Sequence, residues 1–255
     1  MGIEKIPEEI LGLTEKVYED VASKPLNIVS NSMSDLIKFV TLPFSFLGLT
    51  SDKLLVKYKM FLDESVKKVP EEKRVYPEPL VVSKLFDDVK FVFEDKILSD
   101  MFSNLLASSI NKDTYENIHI SFVNIISQLD TLDALLFKEV HDSKIFPICD
   151  VFFTDGNIGE KLFSNLCTLD KYSPMKLSVS VVNLTRLGLI EITEDNNMAD
   201  SYFTEIQSTK EYKRIIKIYD NVKDKKDAYR NFSVRLSKRK ISFTTLGEIF
   251  SNYVL

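Results

Sequence analysis

The chain has 255 residues, 44% of them hydrophobic and 28% charged, and these fractions argue against disordered, collagen-like and coiled-coil classes. Only 7 Gly and 8 Pro occur, and this scarcity of turn-forming residues predicts helices rather than a many-stranded sandwich or barrel. The formal net charge of −5 gives the whole molecule no attraction to phosphate backbones or anionic membranes, so any such contact must be local.

The N-terminal fifth of the chain holds two apolar features. From Ile3 to Val21, apolar residues recur at spacings of three and four, which predicts an amphipathic helix. Residues 36–49, here called the apolar segment, have Lys38 as their one charge and are too short to cross a bilayer as a helix. Two interpretations stay open: a buried core segment, or a membrane-surface or partner-docking element. The side chains that would make such a contact are Phe39, Phe44, Phe46 and Leu47.

The middle of the chain predicts a helical, bundle-like region. An N-cap at Thr50 or Ser51 begins a helix that runs to Val69, and prolines 77 and 79 then mark an extended linker. Apolar periodicity predicts two helices over 80–111 with a break near 93–95, then helices over 118–129 and 131–140. Asp130 is expected to cap the last of these, with Asp133 in its first turn.

The C-terminal third predicts a small α+β domain. Its predicted elements, in order, are a strand or extended edge segment over 144–154, helices over 158–169 and 175–187, strands over 189–193 and 240–244, and a helix over 245–253. That order resembles a winged helix-turn-helix whose recognition helix is 175–187. The predicted fold class is therefore mainly α, with a helical domain over 1–142 and a winged-helix-like domain over 143–255 that carries a basic insertion at 194–239.

Two cysteines and the first residues predict the compartment. Cys149 and Cys167 form no Cys-x-x-Cys pair, and two thiols cannot build a dense disulfide framework. The acidic stretch from Met1 to Lys24 does not have the pattern of a secretory signal. We therefore expect a protein of the reducing cytoplasm.

Three phrases carry a resemblance to a known family: PEEKRVYPEPL at 70–80, MFSNLLASSINKDT at 101–114 and HISFVNIISQLD at 119–130. The first is similar to a family segment of a proline, acidic residues and a Glu-Pro-Pro-like turn. The second resembles the phrases FANLLAS and DKDT of the abortive-infection alpha (Abi-alpha) family, and the third resembles its phrase HPSFVEIIKQLS. This family has long been catalogued as a domain of unknown function in phage-defence proteins. Ile120 and Thr131 replace usual prolines, and Pro79 is not doubled.

The resemblance covers roughly residues 30–140, and the winged-helix-like end is also similar to the end of many members. It implies a cytoplasmic bacterial protein that gives resistance to bacteriophage, often by shutting down the infected cell, with no known reaction. The family-motif residues of this chain are Phe102, Asn104, Leu105, Asp113, His119 and Phe122.

Candidate catalytic groups are few. His119 could act as an acid, base or ligand, or be a helix-entry imidazole bonded to backbone. No zinc motif, phosphate-binding glycine loop or nucleophile elbow occurs, so we expect no enzyme, metal site or cofactor. Seven aspartates could gather into a magnesium-dependent nuclease site, although such density is more typical of a solvated surface: Asp87, Asp88, Asp95, Asp100, Asp113, Asp130 and Asp133.

Residues 210–240 are strongly basic, with 12 Lys or Arg against 4 Asp or Glu and hence a local net charge of +8. Their apolar spacing predicts an amphipathic helix with an open cationic face. The partner of that face would be anionic, either nucleic acid or the protein's own acidic helical part; the alternative is an ordinary solvated basic helix. The basic residues are Lys210, Lys213, Arg214, Lys217, Lys223, Lys225, Lys226, Arg230, Arg235, Lys238, Arg239 and Lys240.

These observations predict a phage-defence protein that works as a non-catalytic binding or sensing component, with a phage or host protein as its partner. One alternative is a nucleic-acid-binding regulator acting through the basic insertion. Against DNA reading, the predicted recognition helix offers only Lys176, Asn183 and Arg186, too few for the several phosphate contacts of a DNA reader. The other alternative is a membrane-active toxic effector acting through the apolar segment.

Overall fold

A computed structural model describes residues 52–143, 145–169, 172–195, 198–225 and 229–255. Within these ranges the protein is mostly helical, with nine α-helices and one four-stranded antiparallel sheet. The helix predicted over 3–21, the apolar segment and the N-cap at Thr50 or Ser51 lie outside the described residues. The helices are α1 Asp52–Lys67, α2 Pro79–Val89, α3 Lys96–Ser109, α4 Ile120–Ile126, α5 Thr131–Asp142, α6 Pro174–Arg186, α7 Ser201–Ser208, α8 Lys210–Lys225 and α9 Thr245–Val254.

The strands are β1 Phe146–Thr154, β2 Gly159–Leu166, β3 Ile190–Glu194 and β4 Ser233–Phe243, and short 3-10 turns occupy Glu71–Lys73 and Tyr115–Asn117. The chain forms two compact units. Within the described ranges, the first comprises residues 52–90 and 106–117, and the second comprises 91–105 and 118–255. The predicted domain boundary between residues 142 and 143 stays a prediction.

The core of the first unit contains an aromatic cluster. Tyr58 and Phe61 of α1 and Phe86 of α2 are each at most 4% exposed. The Tyr58 hydroxyl donates to the Phe86 carbonyl at 3.0 Å, and the Phe61 ring meets the Phe86 ring edge-on with centroids 5.9 Å apart. Desolvation, with the nearby charge of Asp87, raises the pKa of Tyr58 to about 12. The predicted helices here, and their break before Lys96, are confirmed.

The second unit has an aromatic cluster among its helices. Phe250 of α9 is fully buried, and its ring centroid lies 5.6 Å from that of Phe122 and 5.5 Å from that of Phe137. The start of α5 is fixed by the predicted cap: Asp130 accepts a hydrogen bond from the Asp133 amide at 2.8 Å, and Asp133 accepts from the Asp130 amide at 3.1 Å. This reciprocal capping box satisfies two amides that the helix itself leaves unbonded.

The sheet has the strand order β2-β1-β4-β3. β4 lies beside β1 over nine residue pairs, from Phe146 opposite Ile241 to Thr154 opposite Ser233. Because side chains alternate along a strand, β1 presents Cys149 and Val151 to one face and Asp150 to the other. The first of these faces packs against Phe203, Ile206 and Ile215 of α7 and α8 in a buried core.

The prediction of a helix over 158–169 is wrong, because most of this segment is strand β2. Its pairing with β1 shifts register twice, between Cys149 and Val151 and between Val151 and Phe152. Such bulges break the strict alternation of apolar residues, so the strand has apolar spacings that match a helix. The winged helix-turn-helix prediction is not confirmed, since the segment assigned to its first helix is extended.

The other C-terminal elements follow the prediction more closely. The helix expected over 175–187, the strand over 189–193 and the helix over 245–253 are confirmed to within one or two residues. The strand expected over 240–244 is wrong in extent, because β4 begins at Ser233 and includes part of the basic segment. The amphipathic helix predicted in that segment is confirmed as α8, preceded by the shorter α7.

Candidate interaction surfaces

The family-motif residues of the second unit belong to its scaffold. Phe102 and Leu105 are fully buried, and Phe122 is 3% exposed with its ring stacked on Tyr253 at a centroid distance of 6.0 Å. The Asn104 amide donates to the carbonyl of Val254 at 3.1 Å. Asn104 and Phe122 therefore contact helix α9, and Phe102 and Leu105 belong to the buried core.

The two ionisable motif residues have structural partners. His119 is the N-cap of α4, where its Nδ1 accepts a hydrogen bond from the Ser121 amide at 3.1 Å, so the helix-entry interpretation describes its contacts. In the first unit, Asp113 lies 2.6 Å from the Lys73 ammonium. The hydrogen bond from Lys73 lowers the pKa of Asp113, and the same contact raises that of Lys73.

Reactive and metal-binding groups do not converge in the described ranges. There, no three His, Cys, Asp or Glu side chains lie close enough together to hold a metal ion. Cys149 and Cys167 are buried, and desolvation raises the pKa of Cys149 to about 12 and that of Cys167 to about 11. Both are therefore neutral thiols at physiological pH, unsuited to nucleophilic attack.

The structure divides the basic segment between a strand and a helix. On β4, Lys238 pairs with Asp200 at 2.5 Å, Arg239 pairs with Asp150, and Lys240 pairs with Asp195 at 3.0 Å. On α8, Arg214 pairs with Glu211 at 2.5 Å, whereas Lys213 and Lys217 are exposed. Arg230 and Arg235 are exposed as well, and Lys210 is the first residue of α8. The remaining basic side chains lie outside the described part of the structure: Lys223, Lys225 and Lys226.

The Arg239 pair is the centre of a buried polar cluster on the sheet. Asp150 is 4% exposed and accepts hydrogen bonds from Arg239, from the Lys161 ammonium at 2.7 Å and from the Asn165 amide at 3.1 Å. Asn165 lies at the β2 bulge with φ of 59°, and its side chain also accepts from Arg239 at 2.8 Å. Two cations thus surround one carboxylate, which leaves a local excess of positive charge.

Helix α6 exposes an apolar stripe. Met175, Val179 and Val182 are 79%, 63% and 61% exposed, and their spacing of four and three places them on one side of the helix. The opposite side, with Leu177, Val181 and Leu184, is buried. Exposed cations flank the stripe, Lys176 near its start and Arg186 at its end.

A cleft of about 460 Å³ runs beside this stripe, lined by Leu129, Val179 and Val182 together with polar side chains. Its floor is held rigidly, because the Asn183 amide donates to Asp133 at 2.6 Å and to the Gln128 carbonyl at 3.0 Å. At its rim the Arg186 guanidinium donates to the side chains of Gln128 at 3.1 Å and Asn183 at 2.8 Å. Stripe and cleft together form an apolar surface with a fixed polar edge.

From the sequence, Asn183 and Arg186 were considered only as polar side chains that could contact DNA, and the apolar stripe was missed. The available signal was that α6 carries apolar residues on two sides, since Met175, Val179 and Val182 add a second series to the buried one. A helix that is apolar on both sides has more apolar surface than its own core uses.

Within the described residues, no single helix is long and apolar enough to cross a membrane. Helices α4 and α5, which are bent by 116° relative to each other, reach the length and composition of a membrane span only when taken together.

A family model described as abortive infection alpha matches residues 52–254. Comparison with curated proteins and with solved structures returns no match.

Proposed function

This chain belongs to the abortive infection alpha family, and we propose that it serves phage defence in the bacterial cytoplasm as a non-catalytic binding component. Its partner is a phage or host protein that docks on the α6 stripe and the adjoining cleft. The observation that carries this proposal is the exposure of Met175, Val179 and Val182 on one side of a helix whose other side is buried.

The chemistry of the surface defines the partner. Three exposed apolar side chains in a row favour an amphipathic helix that buries its own apolar residues against them, since apolar area removed from water stabilises a complex by about 25 cal/mol per Å². Lys176 and Arg186 at the two ends favour acidic residues flanking that apolar run. The partner is thus a protein segment with a central apolar stripe and acidic ends.

The same geometry disfavours DNA reading by α6. Asn183 and Arg186, two of its three polar candidates, are engaged in hydrogen bonds within the protein. Sequence-specific readers place polar and cationic side chains on the outer side of the helix, where α6 has Met175, Val179 and Val182. The membrane alternative rests on the apolar segment, which lies outside the described residues, and it stays a hypothesis.

The experiment is a phage challenge of cells that express Val179→Asp, with a phage that the wild-type protein restricts. A charge in the centre of the stripe disfavours docking, so the efficiency of plating should rise toward that of cells lacking the protein. Ile158→Asp is the matched control, because Ile158 is 68% exposed against 63% for Val179 and lies away from α6 in the β1–β2 turn. This control should keep full protection.

Two further variants keep the test decisive. Val182→Asp should repeat the loss, and Val179→Thr, which keeps the shape of the side chain, covers the case in which the aspartate variant does not fold. A photo-crosslinking residue at Met175 should give an adduct during infection that Val179→Asp removes. Full protection by folded Val179→Asp and Val182→Asp proteins would refute the docking proposal.

A further inference from the structure

A cation–aromatic–cation row crosses three strands on the face of the sheet that carries Asp150. Phe152 of β1 lies opposite Lys161 of β2 on one side and opposite Arg235 of β4 on the other. The Lys161 ammonium lies over the Phe152 ring, 5.5 Å from its centroid. Lys161 and Arg235 are exposed, and Phe152 is partly buried between them.

From this row we propose a binding site for single-stranded nucleic acid, separate from the α6 stripe. On binding, Lys161 would move off the Phe152 ring to contact one phosphate, the ring face that it uncovers would stack one base, and Arg235 would contact the phosphate on the other side. Neighbouring strands lie about 4.8 Å apart, so the two cations are based about 10 Å from each other. Their long side chains can close that distance toward consecutive phosphates of an extended strand.

The charges around the row favour an anionic ligand. Asp150, the nearest carboxylate, is already shared by Lys161 and Arg239, so it offsets only one of these two cations. Asp155 lies near Arg235 and offsets part of its charge, since hydrogen bonds from the amides of Asn157 at 2.8 Å and Ile158 at 3.0 Å stabilise the ionised carboxylate. Around the row the three cations Lys161, Arg235 and Arg239 thus exceed the two carboxylates Asp150 and Asp155 by one, and Glu194 on the outer strand β3 lies opposite Arg239.

A single strand fits this surface better than a duplex does. A sheet face with an aromatic ring between cations can stack an unpaired base, whereas the bases of a duplex are stacked on each other and present only their edges. Stacking tolerates any base, so the site is expected to discriminate strandedness and not sequence. An acidic peptide would use the two cations but gain nothing from the ring.

The experiment measures fluorescence anisotropy of a labelled single-stranded oligonucleotide of mixed sequence with the full chain, between ~50 and ~200 mM NaCl. Phe152→Leu, which keeps an apolar side chain but removes the ring, should weaken binding about tenfold. Lys161→Gln with Arg235→Gln should lower the slope of log K against log salt by about 1.4, since each phosphate contact on a single strand contributes about 0.7.

The matched control is Lys213→Gln with Lys217→Gln. It removes the same charge from α8, which packs on the opposite face of the sheet, and should leave the slope unchanged. Arg235→Gln alone covers the case in which loss of the Lys161–Asp150 pair unfolds the protein. Absence of binding at ~50 mM salt, equal loss in the α8 control, or equal affinity for duplex or poly-glutamate would overturn the proposal.

Discussion

Replacing Gly247 by Ala should destabilise the protein although alanine is the better helix former. Gly247 lies in the first turn of α9, where its amide donates to the capping hydroxyl of Thr244 at 3.0 Å. A Cβ atom at this position would lie 1.9 Å from the Leu189 carbonyl oxygen and 2.9 Å from its carbonyl carbon. Those atoms are backbone, so relief requires that α9 move away from the start of β3.

Two effects of opposite sign set the magnitude. Alanine gains about 1 kcal/mol over glycine from helix propensity, whereas overpacking of a tight site costs about 1–3 kcal/mol. A contact more than 1 Å too short against main chain belongs at the upper end of that range, so we expect a net loss of about 2 kcal/mol. For a chain of this size that corresponds to a lower Tm by about 4–8 °C.

Thermal and urea unfolding followed by circular dichroism measure this loss. Asn252→Ala is the matched control, because Asn252 is exposed on the same helix and gains propensity without a clash. Its stability should equal or slightly exceed that of the wild type. If Gly247→Ala were as stable as the wild type, the close approach of α9 to Leu189 would be wrong.

Three more predictions concern the stability of the second unit. Asp133→Ala removes a buried carboxylate that accepts hydrogen bonds from the Asp130 amide and from the half-buried Asn183 side chain, and it should cost about 2 kcal/mol in urea unfolding; an unchanged midpoint would contradict the capping role. Phe250→Ala should cost about 3–5 kcal/mol by opening a cavity beside Phe137, whereas a loss below ~1 kcal/mol would mean that the cluster is loosely packed. Since burial raises the pKa of Cys149 to about 12 and Cys167 to about 11, the unfolded chain loses these protons first. The free energy of unfolding should therefore fall as the pH rises above 9, and less so in the double alanine variant.

The helical caps and breaks could be predicted because they depend on neighbours in sequence. Asp130 and Asp133 lie three residues apart, which is the spacing that a reciprocal capping box needs, and the structure contains that box. Pro77 precedes α2, and Pro79 occupies its first turn, where a missing amide costs no hydrogen bond. Local signals were sufficient wherever the bonded partners are close in the chain.

The sheet was harder because its strands are defined by distant partners. β4 is opposite β1, some 90 residues earlier, and its basic residues obscured the alternation of Val234 and Leu236 with polar neighbours. In β2, the bulge at Asn165 displaced the apolar residues into a helical spacing. The Asp155–Gly156 pair, now seen in the β1–β2 turn with Gly156 at φ of 105°, was the local hairpin signal.

Counting charges along the sequence overstates what the basic segment offers to a partner. The strand residues Lys238, Arg239 and Lys240 are engaged with Asp200, Asp150 and Asp195, which lie elsewhere in the chain. An incoming anion would have to compete with carboxylates already in place, so these cations contribute little to salt-dependent affinity. Cationic contact with a partner therefore depends on side chains that have no carboxylate to themselves: Lys213 and Lys217 of α8 on one face of the sheet, and on the other Arg235 with Lys161, which shares Asp150 with Arg239. The two faces differ in how their described aromatic rings meet cations: Phe152 lies between Lys161 and Arg235 on one face, whereas the cation over Phe203 on the other face, Lys238, is already paired with Asp200.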